Sequence, residues 1–231
     1  MFPETASAST PAPAQGLQPG RVPRVLRYPD DSLLLVGGIP GAGKSTLLNR
    51  LFALEGTETH PVRTPEGTRV IDSQQSRNRL TRRLRALPYP AWRWMMHCLH
   101  YLRVLQALRV GGGPVVVHVT ATRRLMLRLL GRYCRRIGVE VHLLLIDADP
   151  QAALRGQIER GRRLTAHNHR WHVRRWRRVL VDCAAGAQAL VPGARSLLLV
   201  RREAVEEVAE IRFTADAQGP PGDGAAPAAM P

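Results

Sequence analysis

Ser32-Leu33-Leu34-Leu35-Val36-Gly37-Gly38-Ile39-Pro40-Gly41-Ala42-Gly43-Lys44-Ser45-Thr46 is the stretch that decides how this chain folds. Leu33 to Val36 reads as a buried strand and the glycine-rich segment as a turn. Leu47, Leu48, Leu51 and Leu54 then mark one face of a helix. Gly38, Gly43, Lys44 and Ser45 stand at the fixed positions of G-x-x-x-x-G-K-[ST]. Glycines let a backbone wrap around phosphate with no Cβ in the way. The helix that starts at the motif points free N–H groups and its positive dipole end at the same spot. Ile39, Pro40, Gly41 and Ala42 complete the expected cradle, and Lys44 is expected to reach the β- and γ-phosphates. Ser45 is expected to ligate Mg²⁺, and Thr46 to place a hydroxyl near the α-phosphate. Lys44 is the only lysine in the chain; every other basic residue except histidine is arginine. A compact ammonium is not replaced by a planar guanidinium without loss of geometry.

The 231 residues suffice for one α/β domain with a substantial core. No apolar run approaches the length of a membrane-spanning helix, and Met1 to Ala6 lacks the basic start and apolar stretch of a signal peptide. Cys98, Cys134 and Cys183 are widely spaced and make no metal pattern, so they read as reduced, mostly buried thiols. These features lead us to expect a cytoplasmic monomer. The net charge of +16 admits nucleic acid or anionic substrates, but also arginines spread over solvated helix faces.

Residues 1–22 and 215–231, rich in Pro, Ala and Gly, read as disordered tails that leave a folded domain over 23–214. Within that domain strands alternate with helices. Gly56 to Gly67 reads as a polar loop, Thr68 to Asp72 as a strand, Ser73 to Ala86 and Ala91 to Val110 as helices, the second with Trp94, Cys98, Tyr101, Leu102, Leu105 and Leu108 at helical spacing. Pro114 to Val119 reads as a strand, Thr122 to Ile137 as a helix, Val139 to Ile146 as a strand, Asp149 to Arg160 as a helix. Ala166 to Ala187 looks helical, Ser196 to Val200 a strand, and Glu203 to Ile211 a last helix or strand. This alternation implies a parallel sheet with crossovers on both faces.

Ligands of such sheets bind beyond the carboxyl ends of the strands, so Asp72 is expected to face the γ-phosphate region. There it can take a proton from an attacking hydroxyl, or hold Mg²⁺ through water; the plain alternative is a helix cap. Arg77, in the next helix, is positioned to bind an anionic acceptor. The strand Val115 to Val119 should carry the usual metal-assisting acid and carries none. His118 and Thr120 occupy its tip and could contact substrate, as could Arg123; packing and capping are the plain alternatives. Asp149 reads as an N-cap with Pro150 at the first helical position.

From Arg155 to Arg178 arginines are dense. Arg155, Arg160, Arg162 and Arg163 flank glycines, the pattern of a lid that closes over a nucleotide and brings guanidinium groups to the phosphoryl oxygens. Arg155 and Arg162 are assigned to the nucleotide, Arg160 and Arg163 to the transferring group. His167 to Arg178 reads either as a nucleic-acid surface with stacking rings or as an amphipathic helix with Trp171, Val179 and Leu180 inward. In the segment between the second and third strands, Tyr89, Trp92, Trp94, His97, His100 and Arg103 suggest a partly aromatic, partly basic acceptor pocket, with a core role for Trp94.

Over residues 32–201 the chain resembles the small P-loop kinases. That group includes the zeta toxins, polynucleotide kinases, gluconate kinases and chloramphenicol phosphotransferases, described broadly as AAA-family ATP-binding proteins. The resemblance rests on Gly38 to Thr46, on Asp72 followed by Arg77, and on Arg155 with Arg160 to Arg163. It implies a P-loop NTPase three-layer sandwich, with a five-stranded parallel sheet, helices on both faces and an arginine-rich lid. It also implies ATP and Mg²⁺ as cofactors and γ-phosphoryl transfer to a hydroxyl with Asp72 as base. No N-K-x-D guanine signature is present. The expectation is therefore an ATP-dependent kinase acting on a small-molecule or nucleotide-like hydroxyl. The alternatives are a nucleic-acid end-processing kinase and a non-catalytic ATP-binding module.

Overall fold

A computed structural model describes residues 22–158, 166–217 and 219, without the side chains of 156–158 and 166–169. The expectations for residues 1–21, 218 and 220–231, and for Arg160, Arg162 and Arg163, lie outside the described residues.

β1 (Val25–Tyr28) is followed by β2 (Leu33–Gly38), whose six residues are all buried. The P-loop turns into α1 (Lys44–Leu51). β3 (Val62–Arg63) and β4 (Arg69–Ile71) lead to α2 (Ser73–Arg83) and the long α3 (Tyr89–Val110). β5 (Val115–His118), α4 (Arg124–Arg136), β6 (Val141–Asp147) and α5 (Pro150–Ile158) come next. α6 (Ala166–Ala184), α7 (Ala187–Leu190), β7 (Ala194–Arg201), a 3₁₀ turn (Arg202–Glu207) and β8 (Glu210–Phe213) complete the chain.

The main sheet has the order β3-β4-β5-β2-β6-β7. β4, β5, β2, β6 and β7 are mutually parallel, which is the expected five-stranded sheet, and β3 adds one antiparallel edge strand. A strand covered by helices on both faces has no solvent side, and this is why β2, β5 and β6 read as unbroken apolar runs. β1 and β8 form a separate two-stranded parallel ribbon. Arg50 on α1 ties that end of the chain down by donating to the carbonyls of Val205, Glu206 and Val208 at 2.9, 3.1 and 2.7 Å.

The register positions the site. Val36 pairs with His118, and Ile71 with Val117, so the carboxyl ends of β4, β5 and β2 finish at one level. The P-loop, His118 and Asp72 are therefore brought together from three adjacent strands.

Three expectations need correction. The inward face of α3 is rotated: Trp92, Met96, His100, Arg103, Val104 and Leu108 are buried, whereas Trp94 is 64% exposed and Leu102 62%. The polar groups on that buried face have partners in distant segments, which is why an apolar count misplaces the stripe. On α6, Trp176 is the buried ring and its indole N–H donates to Asp147 at 2.7 Å; Trp171 lies outward. Cys98 is exposed, while Cys134 and Cys183 are buried thiols whose ionisation burial pushes up to about 12.

Candidate active site

The phosphate-binding loop owes its shape to backbone that side chains would not tolerate. Gly41 and Gly43 adopt φ of 90° and 97°. A Cβ on Gly38 would lie 2.6 Å from the Ile146 carbonyl of the neighbouring β6, so only glycine lets β2 pass there. A Cβ on Gly43 would meet nothing within 4 Å: the backbone here faces open space. Gly43 caps α1, which has no acidic residue in its first turn, so its dipole end is open to an anion. The Lys44 ammonium is buried and donates to the carbonyls of Gly38 and Ile39 at 3.0 and 2.7 Å. The only lysine thus braces the loop that its motif assigns to phosphate.

Asp72 is both a cap and a member of this cluster. Its Oδ1 accepts the Gln74 backbone N–H at 2.8 Å, and Gln75 returns the bond to the Asp72 N–H at 3.1 Å, a complete capping box. The same oxygen accepts from His118 Nδ1 at 2.7 Å, and the Ser45 side chain of the P-loop, near the carboxylate, helps favour its ionised form. Burial opposes ionisation of Asp72. The His118 charge and hydrogen bond, the Gln74 N–H and the Ser45 hydroxyl outweigh it and hold the carboxyl well below the usual range. An acid from β4 therefore reaches across the acid-free tip of β5 to the P-loop serine. Asp72 and Ser45 supply the hard oxygen donors that suit Mg²⁺, and the open glycine backbone with the α1 terminus suits a polyphosphate.

Behind the pair stands His100, buried on α3, with one ring nitrogen donating to the His118 backbone carbonyl and Nδ1 without a partner among the described residues. Burial first, and then the charge of His118, lower its ionisation to about 4. His97, one turn earlier, is also lowered to about 4 by burial, Arg123 and Arg93, and its neutral Nε2 accepts from Arg123 at 3.0 Å. Arg103 is held by Ser76 Oγ at 3.0 Å and the Thr59 carbonyl at 2.6 Å. Arg77 stacks over the Tyr89 ring at 5.0 Å, and Arg155 is exposed near the end of α5. Asp149 caps α5 through the Ala152 N–H at 2.8 Å.

Asp72, His118, Ser45 and Lys44 are thus brought into one group. Arg123 joins its outer side through His97; Arg77 and Arg155 make no bond to it. His97 and His100 carry no motif in the sequence. The signal that points to them is negative: no aspartate or glutamate occurs between Asp72 and Glu140, so this entire half of the domain presents only positive or neutral side chains to the Asp72 carboxylate.

The chain is similar to two solved structures. One is the tunicamycin resistance protein of Deinococcus radiodurans, 19% identical over 64% of this chain and 80% of that chain, with a TM-score of 0.39. The other belongs to the PezAT chromosomal toxin–antitoxin system of the human pathogen Streptococcus pneumoniae. It is 18% identical over 74% of this chain and 67% of that chain, with a TM-score of 0.51 that shows a common fold. No curated protein matches the sequence significantly. No helix among the described residues is long and apolar enough to cross a membrane. The AAA domain family matches residues 33–181, from the first residue of β2 to within α6, and the chain belongs to that family as a nucleotide-binding P-loop domain.

Proposed function

We propose that the protein is an ATP-dependent kinase that transfers the γ-phosphoryl group to a hydroxyl of a small molecule. The observation that carries this reading is the buried Asp72 carboxylate bonded to His118 Nδ1 at 2.7 Å, at the strand ends that flank the P-loop. It supports a role for Asp72 as an ionised carboxylate at the phosphate end of the nucleotide site. The acceptor hydroxyl oxygen attacks the γ-phosphorus while the bond from that phosphorus to the β–γ bridging oxygen breaks; ADP departs, and the hydroxyl proton passes to Asp72. The depressed acidity constant makes Asp72 a weak base. That suffices in a loose phosphoryl-transfer transition state, where the attacking oxygen gives up its proton late and the protein contributes mainly position and charge.

Lys44 would turn its ammonium from the loop carbonyls to the β- and γ-phosphates. Ser45 would hold Mg²⁺ directly and Asp72 through water, and the ion would offset charge on the β- and γ-phosphate oxygens. His118 keeps the Asp72 carboxylate ionised and oriented. The arginines assigned to a lid, Arg155, Arg160, Arg162 and Arg163, would close on the phosphates in this scheme. Incubating the protein with γ-labelled ATP and a panel of sugars, nucleosides, nucleotides and antibiotics tests it. Label transfer that disappears in Asp72→Asn supports the reading. ATP binding without transfer to any acceptor class leaves a non-catalytic nucleotide-binding module.

A further inference from the structure

A cavity of about 360 Å³ lies between the first turn of α4 and α6, lined by Thr122, Arg123, Arg124, Leu125, Met126, Arg175 and Arg178. Among the described residues, one of these four charges meets a carboxylate: Arg124 donates to Asp182 at 2.7 Å. Arg123 donates to His97, whose ring is neutral. Arg175 reaches the Thr122 carbonyl at 3.4 Å and stacks on Trp171 at 3.9 Å from the ring centroid. A stacked guanidinium keeps its N–H edge for an anion. Arg178 has no acidic partner among the described residues.

Like charges gathered around one space repel, and a bound anion relieves that repulsion. Three guanidinium groups with no acidic partner among the described residues match a phosphate monoester, with its charge of roughly −1.5 to −2 and three acceptor oxygens, better than a single carboxylate. The cavity wall is also joined to the Asp72–His118 pair by a short stretch of chain and through His97. Arg123 follows His118 by five residues, so their Cα atoms are at most about 18 Å apart, and its side chain rests on His97 of α3.

We propose that this cavity seats the phosphate of a phosphorylated small-molecule acceptor, held by Arg123, Arg175 and Arg178, while the acceptor's free hydroxyl faces Asp72. The proposal deepens the kinase reading and rests on it for the word acceptor; the anion site itself does not. The intact protein is titrated with inorganic phosphate, uridine 5′-monophosphate and uridine, without ATP, by calorimetry. Phosphate and the monophosphate are expected to bind and uridine not. Arg123→Ala and Arg178→Glu are each expected to weaken binding at least about tenfold, the loss of one charge-assisted contact. Trp94→Ala, at an exposed side chain outside the cavity wall, is expected to leave it unchanged.

Absence of saturable phosphate binding overturns the proposal, as does loss of binding in Lys44→Ala instead of the arginine variants. A single-stranded oligonucleotide that binds far more tightly than phosphate, with a steep salt dependence, overturns it in favour of a nucleic-acid surface. Phosphate binding that follows the arginine variants, with no label transfer from ATP to any acceptor, retains the anion site and removes the kinase.

Discussion

Asp72 Oδ1 and His118 Nδ1 are 2.7 Å apart, joined across two adjacent parallel strands at the edge that carries the P-loop. The histidine stands at the strand tip where a metal-assisting acid is expected, and the acid stands one strand away. Replacing Asp72 separates its two roles. Asparagine caps a helix as well as aspartate does, so Asp72→Asn should leave stability within about 1 kcal/mol of wild type. Phosphoryl transfer should fall by about 10² or more, the typical worth of general-base assistance. Asp72→Ala should lose the same activity and a further ~1 kcal/mol of stability as the cap goes. Denaturant melts beside label-transfer rates check both; unchanged transfer in Asp72→Asn makes Asp72 a cap alone.

The low ionisation of Asp72 also sets a pH dependence of stability. In the unfolded chain this carboxyl titrates near ~3.9; folded, it titrates lower. The folded state thus binds fewer protons between the two values. The stabilisation is fully present above about pH 4 and is lost as pH falls through the folded value. Chemical denaturation between about pH 2 and 6 should show a fall in stability on the acid side that Asp72→Asn makes shallower. Parallel curves for the two proteins contradict the depressed acidity.

His118 acts through Asp72. His118→Ala removes one partner of a buried pair and should cost roughly 3 kcal/mol. His118→Gln keeps an N–H donor and should recover part of that loss. In both, kcat should fall while KM for ATP changes little, because the P-loop contacts are untouched. A change confined to KM places His118 on the nucleotide instead.

The P-loop was legible because its geometry is local: the φ values of Gly41 and Gly43 and the close approach of Gly38 to β6 leave one residue type at each position. The parallel sheet was legible because strands buried on both faces are apolar throughout. Much of the rest depends on pairings between distant segments. His118 meets Asp72 across 46 residues, Arg103 meets Ser76 across 27, and Arg103 meets Thr59 across 44. No periodicity records such partners, so His118 read as ambiguous and α3 was turned the wrong way. β1, β3 and β8 have only two to four residues each, too few for a pattern, and take their structure from a neighbouring strand.

The loop glycines should fail in different ways. In Gly38→Ala the new Cβ lies 2.6 Å from a backbone oxygen of β6, which cannot move without disturbing the sheet, so melting temperature and ATP binding should fall together. In Gly43→Ala nothing is struck, and the strain of a left-handed φ, about 1 kcal/mol, is carried where α1 begins. That variant should fold and lose nucleotide affinity. Thermal melts with and without ATP distinguish the two; equal destabilisation of both contradicts the open space beside Gly43.

The rotation of α3 gives a test that needs no ligand. Trp92 packs with Leu80 and Met96 and donates its indole N–H to the Leu87 carbonyl at 3.2 Å, whereas Trp94 is largely solvent-exposed. Trp92→Ala should cost about 3–5 kcal/mol, the usual loss for a buried aromatic ring. Trp94→Ala should stay within about 0.5 kcal/mol of wild type, as surface changes do. The reverse ordering in urea melts would restore the face that apolar spacing suggests. It would also turn His97 and His100 away from His118, and with them the neutral, acid-free wall that His97, His100 and Arg123 give the site.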